Sequence, residues 1–239
     1  MKFDYDKMYA TTKESHFDWV KRACLWKANV LCQMIHGEKT DSILEVGTGR
    51  GDVLNACHVF KVRIGADISS KVLEQHRKLY GTEKLIKIDA NAPLPFSDNE
   101  IDFVLLCDIL EHVENPIELL AEAARVGRNV MLKIPIEKSL LKAIFLKLKG
   151  IKYGARHPSG HLHSWRMGEL LRLIDKAGLK IIRGKFVRTP LYLIQKKKPL
   201  RVAAFLFTSA GDIFTKQLFL TRLLLGGSYF AIARKKTQH

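Results

Sequence analysis

The sequence predicts an α/β fold: a Rossmann-like, doubly wound sheet that is mostly parallel with a final antiparallel strand and has helices on both faces. Three observations predict it. Apolar strand patterns alternate with helical patterns along most of the chain. A glycine turn, Gly47 to Gly51, joins the first strand pattern directly to a helix start. The pattern Ile101 to Cys107 is almost wholly apolar, as expected for a parallel strand covered on both faces.

Each predicted element rests on a local pattern. The N-terminal helix, Phe17 to Ile35, carries apolar residues at helical spacing, and Gly178 is the stop signal of a late helix, Trp165 to Ala177. Pro135 is expected to stop a strand that begins near Asn129. The other predicted helices lie near 52–59, 70–80 and 116–126, and the other predicted strands are 43–46, 62–66, 85–88, 180–187 and 228–233.

The domain organisation follows from these elements. Residues 1–40 are expected to form an N-terminal helical cap, and residues 41–239 a Rossmann-like domain. A helical insertion is predicted at about residues 190–226, between the last two strands. Its apolar stretches are broken by Asp212, Lys216 and Arg222, so it is not expected to span a membrane.

Composition indicates a globular protein with a preference for anionic partners. The chain has 239 residues, of which 47% are hydrophobic and 27% are charged, so disorder is not expected. The net charge is +16, with a pI near 9.8, which favours nucleic acid, phosphorylated metabolites or an acidic membrane surface. The net charge alone does not distinguish among these three kinds of partner.

The cysteines and the N-terminus indicate a cytoplasmic protein. Four cysteines (Cys24, Cys32, Cys57 and Cys107) form no C-x-x-C pair, which favours buried thiols in a reducing compartment. The first residues lack the apolar stretch of a signal peptide. We therefore expect a cytoplasmic location, with peripheral contact to a membrane as an open alternative.

The glycine turn indicates a cofactor site of a particular kind. Its sequence is E-V-G-T-G-R-G, from Glu45 to Gly51. Gly51 comes two residues after Gly49, whereas the dinucleotide fingerprint has its third glycine three residues after the second. Glycines allow close approach of ligand to backbone. The pattern resembles the first motif of the class I S-adenosylmethionine-dependent methyltransferases.

Acids at successive strand ends fit the same resemblance. It implies that Asp67 holds the ribose of S-adenosyl-L-methionine, that Asp89 and Ala90 contact its adenine amino edge, and that Glu45 lies near its methionine end. A lone acid at a strand end is more often a helix cap, but three such acids in register with the glycine turn favour the cofactor. The resemblance implies further cofactor contacts at Gly47, Thr48, Gly49, Gly51, Ile68 and Cys107.

The resemblance extends over roughly residues 40 to 190 through the segment Glu111-His112-Val113 and Pro116 after the fourth strand. Candidate catalytic bases are His112, Asp108 and His161, the last within a cluster with His157 and His163. His112 could equally fix the loop after the strand. The three clustered histidines could ligate a metal, but no nearby cysteine or well-spaced acid completes a site, so we predict none.

A second segment outside the common core, besides the insertion, is Ser139 to Lys149, a basic amphipathic helix with lysines around an apolar face. Docking of this face on the core is favoured over contact with a membrane surface. The insertion at about 190–226 is expected to roof the substrate site, with docking to a lipid-borne substrate as its alternative.

The expected function is methyl transfer to a small-molecule, glycan or lipid-linked acceptor. The N-P-P-Y or D-P-P-Y motif of base-amine methylation is absent after the fourth strand, where Cys107-Asp-Ile-Leu stands instead. An RNA methyltransferase is the rival interpretation, favoured by the charge, although we expect nucleic acid less. A third interpretation is a cofactor-binding adaptor without catalysis.

Overall fold

The structure, a computed structural model, describes residues 6, 14–35, 37–136, 138, 160–193 and 227–236. The helices in these residues are α1 (Glu14–Gln33), α2 (Asp52–Ala56), α3 (Ser70–Tyr80), α4 (Pro116–Val126) and α5 (Met167–Lys176), with a 3-10 turn at Leu191–Leu193. The strands are β1 (Ser42–Val46), β2 (Val62–Asp67), β3 (Lys84–Lys87), β4 (Ile101–Cys107), β5 (Gly127–Ile136), β6 (Leu179–Val187) and β7 (Gly227–Lys235).

The strands form one seven-stranded sheet in the order β3-β2-β1-β4-β5-β7-β6. The pairs from β3 to β5 are parallel, while β7 runs antiparallel to both β5 and β6. The chain order reverses direction between β1 and β4, and a parallel sheet binds ligands outside the carboxyl ends of the strands at such a point. The topology confirms the predicted fold class.

Helices cover both faces of the sheet, as predicted. Strand β4 shows why: all seven of its residues are buried, with Phe103 directed to one face and Val104 to the other. On the first face, α1 and α2 contribute Leu31 and Leu54 to the core, and on the second face α4 contributes Leu119. Full burial of each such side chain is worth about 1.5–3 kcal/mol.

The prediction that Pro135 stops its strand is wrong, because β5 continues to Ile136. Pairing with β4 ends at Lys133, so beyond that residue β5 has a neighbour only in β7. Proline lacks the N–H that a strand with two neighbours needs, but it is tolerated where one side is unpaired. Strand β3 ends one residue earlier than predicted, although the Ile88 N–H still donates to the Asp67 carbonyl at 3.0 Å.

The N-terminal helix α1 is fastened to the far edge of the sheet by polar contacts as well as by its core residues. The Trp19 indole donates to the Leu193 carbonyl at 2.8 Å, and Arg183 donates to the Met34 carbonyl at 2.9 Å. Just after α1, Glu38 pairs with Arg234 of β7 at 2.6 Å. Helix α1 is therefore held against the side of the sheet formed by β7 and β6.

Several predicted features lie outside the described residues: the basic helix Ser139 to Lys149, His157, and nearly all of the insertion at about 190–226. The division into a cap and a main domain stays a prediction. None of the described helices combines the length and the apolar character needed to span a bilayer.

Candidate active site

The glycine loop after β1 folds back on the end of β2. The N–H groups of Gly47 and Thr48 both donate to the Ala66 carbonyl, at 2.8 and 3.0 Å. The φ angles of Gly47, Gly49 and Gly51 are 75°, 54° and 80°, in the left-handed region that favours glycine. The loop thus depends on these three glycines for its backbone conformation.

Two of the three glycines are also required by contacts within the protein. A Cβ on Gly47 would lie 2.5 Å from Ile109 Cδ1, and a Cβ on Gly51 would lie 2.0 Å from His76 Nε2. His76 is fully buried on α3, and burial lowers the pKa of its imidazole to about 4, so the ring is neutral. The uncharged ring therefore packs closely against the loop.

Asp67, the last residue of β2, connects the glycine loop to helix α3. One carboxylate oxygen accepts from the Gly49 N–H at 2.9 Å, and the other accepts from the Ser69 N–H at 3.0 Å. Ser69 caps α3 and also donates to Asp6. Burial raises the pKa of Asp67. Each carboxylate oxygen keeps acceptor capacity for a ligand hydroxyl.

Glu45 is a buried acid directly before the loop. Its side chain is only 2% exposed, and one carboxylate oxygen accepts from Thr48 Oγ1 at 3.0 Å. Burial raises its pKa to about 8, although the Thr48 hydrogen bond and the Lys27 charge act in the opposite direction. Among the described residues no basic side chain forms a salt bridge with Glu45, so its buried carboxyl is open to a hydrogen bond with a ligand.

Asp89 and Ala90 follow β3, next to the end of β2. One carboxylate oxygen of Asp89 accepts from both the backbone N–H and the side-chain amide of Asn91, each at 3.0 Å, so the acid closes its own turn. Ile68 and Ala90 are half-buried beside it. Because β2 and β3 are parallel neighbours, these residues lie at the same end of the sheet as Asp67.

Asp108, expected as a base, is held by two lysines. Lys133 of β5 and Lys27 of α1 both pair with its carboxylate, Lys27 at 2.7 Å. Burial acts to raise the pKa of Asp108, but the two ammonium charges prevail and hold it below its usual range. An acid with a lowered pKa is a poor proton acceptor at neutral pH.

The two lysines were missed in the sequence. Lys133 carried a signal, because it interrupts an apolar strand and is 6% exposed, and a buried ammonium group requires an anionic partner. Lys27 gave no such signal within its amphipathic helix. Cys107, between this cluster and the loop, is buried, and burial raises the pKa of its thiol well above the usual value. All four cysteines are free thiols, as expected.

Glu111, His112 and His161 come together just beyond Asp108. The rings of the two histidines meet edge to face, with centroids 4.7 Å apart. The Leu162 and His163 N–H groups both donate to the Glu111 carbonyl, at 2.7 and 3.1 Å, which holds the His161 segment against the loop after β4. Glu111 is 1% exposed, and Oε2 of its carboxylate has no hydrogen-bond partner.

The structure divides the predicted histidine cluster. His161 faces His112, whereas His163 donates from Nε2 to the Val113 carbonyl at 3.0 Å and stacks on Trp165. His163 therefore supports the loop, and His161 is the member that lies with the other candidate bases. Glu111 belongs to the quoted Glu-His-Val segment, but the sequence analysis gave it no role.

The two parts of the site are contiguous. The Ile109 side chain, in the loop after β4, packs on Gly47 of the glycine loop. Glu45 precedes the glycine loop and Asp67 is bonded to it, while Glu111 and His112 follow Ile109 in the chain. Such an arrangement can hold a polar ligand at the loop and a reacting group beside it.

Comparisons with known proteins agree with this arrangement. Residues 44–129 match the family model described as "Methyltransferase domain". An uncharacterised protein of Methanocaldococcus jannaschii is 30% identical over 148 residues, which are 61% of this chain and 67% of that protein. The family match covers the strands from β1 to the start of β5 together with the glycine loop.

Two solved structures are similar over most of the chain. A methyltransferase chain in complex with the Haloferax volcanii Trm112 methyltransferase activator has a TM-score of 0.69 and 14% identity, covering 99% of this chain and 100% of that chain. A Synechocystis magnesium protoporphyrin IX methyltransferase with bound SAH has a TM-score of 0.60 and 14% identity, covering 95% and 89%. At such identities the likeness shows the fold alone. The family of the chain is indicated by the match to the methyltransferase model together with the glycine loop. The chain belongs to the class I S-adenosylmethionine-dependent methyltransferases.

Proposed function

We propose that this chain methylates a small-molecule, glycan or lipid-linked acceptor, with the cofactor held between the glycine loop and the ends of β2 and β3. The residues present suit S-adenosylmethionine. Asp67 has acceptor capacity for two ribose hydroxyls, and Asp89 with Ala90 would contact the adenine edge. Glu45, a buried acid without a full ion pair, would face the methionine end.

The observation that carries this proposal is the direct bond between the glycine loop and Asp67. The Gly49 N–H donates to the Asp67 carboxylate at 2.9 Å, so the loop and the ribose-binding acid are set in one position before any ligand binds. Preorganisation of this kind lowers the cost of binding. The further contacts that we propose are made by Gly47, Thr48, Gly51, Ile68 and Cys107.

The chemistry that the cofactor supplies when bound is an electrophilic methyl carbon on a sulfonium. The protein's task is then to place the acceptor atom in line with that carbon and to keep water out. A base is needed only if the acceptor atom carries a proton. His112 and His161 are the proposed groups for this proton, because His112 lies in the loop after β4 and its ring meets that of His161.

The acceptor class is inferred from the residues after β4. A base-amine methyltransferase of the N-P-P-Y type offers polar groups there, whereas here Cys107 is buried and Asp108 is neutralised by two lysines. The lysines engage both oxygens of the Asp108 carboxylate, which leaves less capacity to bind a nucleobase amine. A hydroxyl, a thiol or a similar small nucleophile beside the histidines fits better.

The test uses cofactor labelled in its methyl group and extracts divided into small-molecule, lipid, glycan and RNA fractions. We expect label in one of the first three. Label confined to RNA, with binding that weakens steeply as salt increases, would favour the RNA methyltransferase instead. If the protein binds SAH, the demethylated product of the cofactor, but no fraction becomes labelled, the result would support an adaptor without catalysis. Gly49→Val protein is the control for labelling that does not depend on the cofactor site.

A further inference from the structure

The group formed by Glu111, His112 and His161 has the composition of a divalent metal site. Each residue offers one ligand atom, a carboxylate oxygen or an imidazole nitrogen, and these three atoms all lie within 4.8 Å of one another. Two imidazoles and one carboxylate are a common donor set for first-row divalent cations with open positions. The residues are brought together from two separate segments of the chain.

Glu111 supplies the second, independent observation. Its side chain is 1% exposed, yet its Oε2 atom receives no hydrogen bond. Buried polar atoms in folded proteins are almost always partnered, because a buried atom without a partner loses its hydrogen bonds to water and gains none. A bound cation would satisfy this atom.

Backbone hydrogen bonds hold the group in place. The Glu111 carbonyl accepts from the Leu162 and His163 N–H groups, which fixes the His161 segment beside the loop after β4. The His163 ring is occupied by the Val113 carbonyl. Asp108 is not a fourth ligand, because its carboxylate already pairs with Lys27 and Lys133.

We propose that Glu111, His112 and His161 bind one divalent transition-metal cation, which holds and activates a hydroxyl group of the acceptor. Donor atoms on one cation stand roughly 3 to 3.5 Å apart, given metal–ligand distances of about 2.0–2.2 Å, so small side-chain rotations close the group around the ion. The three protein ligands leave positions for the acceptor oxygen and for water. No metal was predicted from the sequence because no acid lies near the clustered histidines along the chain, but the fold places Glu111 beside His161.

The chemical consequence rests on the proposed function. A bound cation lowers the pKa of a coordinated hydroxyl, as it does for water. In this proposal His112 and His161 are metal ligands instead of bases, because a nitrogen that binds a cation cannot also accept a proton. The acceptor O–H bond breaks and its proton passes to water. The oxygen's electron pair forms the new bond to the methyl carbon, while the C–S bond breaks with its pair left on sulfur. One proton is released for each methyl group transferred, and the acceptor class is an oxygen nucleophile.

The test measures metal binding directly, with tag-free protein freed of metal by a chelator. Mn²⁺ is added and free ion is followed by electron paramagnetic resonance, with Zn²⁺ binding measured by elemental analysis after dialysis. We expect one equivalent per chain. Glu111→Gln and His161→Ala should each weaken binding by about 100-fold or more, since even outer partners of a metal site contribute 10–100-fold.

The matched control is His58→Ala, which removes an exposed histidine away from the group. It should bind one equivalent as the wild type does. Absence of stoichiometric binding to the wild type overturns the proposal, whether or not the variants fold. Equal binding by Glu111→Gln, His161→Ala and wild type overturns it as well. The affinity for SAH is measured in parallel. Failure to bind metal with normal binding of SAH contradicts only the metal proposal, and failure to bind SAH with normal binding of metal contradicts only the cofactor proposal.

Discussion

Asp67 is the residue in which structure and proposed function are most tightly joined. Its carboxylate links the Gly49 N–H to the Ser69 N–H, so it both closes the glycine loop and orients the start of α3. Asp67 thus supports Ser69, the residue that caps α3, and is also the acid that we propose binds the ribose. From the sequence, a role at the helix start and a role in binding the ribose are alternatives, but the geometry of Asp67 is compatible with the two roles together.

Changing Asp67 to Ala should weaken SAH binding by about 1.5–3 kcal/mol, the scale of hydrogen bonds to a charged group. Asp67→Asn should lose less, because its remaining oxygen can still accept one of the two backbone bonds. Isothermal calorimetry provides the measurement. Asp175→Ala, at an exposed acid on α5 that pairs with Lys236, is the control. Wild-type affinity in both Asp67 variants would remove the acid from the cofactor site.

Glu45 predicts a dependence of stability on pH. Its pKa is raised by burial to about 8, with Lys27 of α1 and Thr48 acting in the opposite direction and Asp67 of β2 acting in the same one. The folded state therefore binds more protons than the unfolded state between about pH 4.5 and 8, and stability falls as pH rises through that window. Glu45→Gln should flatten this fall.

The measurement is urea unfolding of wild type and Glu45→Gln at a series of pH values. The difference between the two curves isolates Glu45 from other acids. A difference that stays constant from pH 5 to 8 would mean that Glu45 is ionised in the folded protein throughout, in conflict with its burial.

At the scale of elements, helix α1 contributes a charge to the site through Lys27. Its ammonium group lies 2.7 Å from the Asp108 carboxylate, and the side chains are 18% and 26% exposed. Lys27→Met should lower the free energy of unfolding by about 1–3 kcal/mol, because Asp108 keeps only Lys133 as a partner.

A double-mutant cycle tests this pairing. In an Asp108→Asn background the Lys27→Met change should cost clearly less than it does alone. Lys78→Met, which breaks an exposed pair with Glu74 on α3, should change stability by less than about 0.5 kcal/mol. Equal costs of Lys27→Met in the two backgrounds would show that α1 is held by its apolar face alone.

The glycine loop allows packing to be separated from ligand contact. Gly51→Ala should destabilise the fold by about 1–3 kcal/mol, since its Cβ would meet the buried His76 ring at a φ of 80°. Gly81→Ala is the control: its φ is 63°, but a Cβ there meets nothing, so it carries only the backbone cost. Gly49→Val should instead abolish SAH binding.

Urea unfolding and calorimetry report these two effects separately. If Gly51→Ala is no more costly than Gly81→Ala, the contact with His76 does not constrain the loop. If a folded Gly49→Val protein binds SAH like wild type, the loop is not the cofactor site.

Local patterns predicted the elements well because the relevant signals are short in range. The buried run of β4, the glycine turn and the bounds of α3 and α4 were read from neighbouring residues. Pro135 misled because its tolerance depends on where β4 ends, which is a property of another strand. The pairing of Lys27 with Asp108 and the meeting of Glu111 with His161 were equally out of reach, since each joins residues far apart in the chain.

For the whole molecule, the sheet topology explains why the site lies where it does. The loops after β1, β2, β3 and β4 emerge at one edge because these strands are parallel and adjacent. Strand β7 runs in the opposite direction, and β6, which is antiparallel to β7, ends at the same end of the sheet but two strands beyond β5. The net charge of +16 adds a preference for an anionic acceptor, without identifying it.

The central claim, that the glycine loop and the acids at the ends of β1, β2 and β3 bind the cofactor, is tested most directly by a crystal structure of the protein with SAH. We expect the ribose hydroxyls within hydrogen-bond distance of Asp67, the adenine at Asp89 and Ala90, and the amino acid end near Glu45. Ligand density at another place, with the carboxylate of Asp67 still bonded only to the protein, would contradict it.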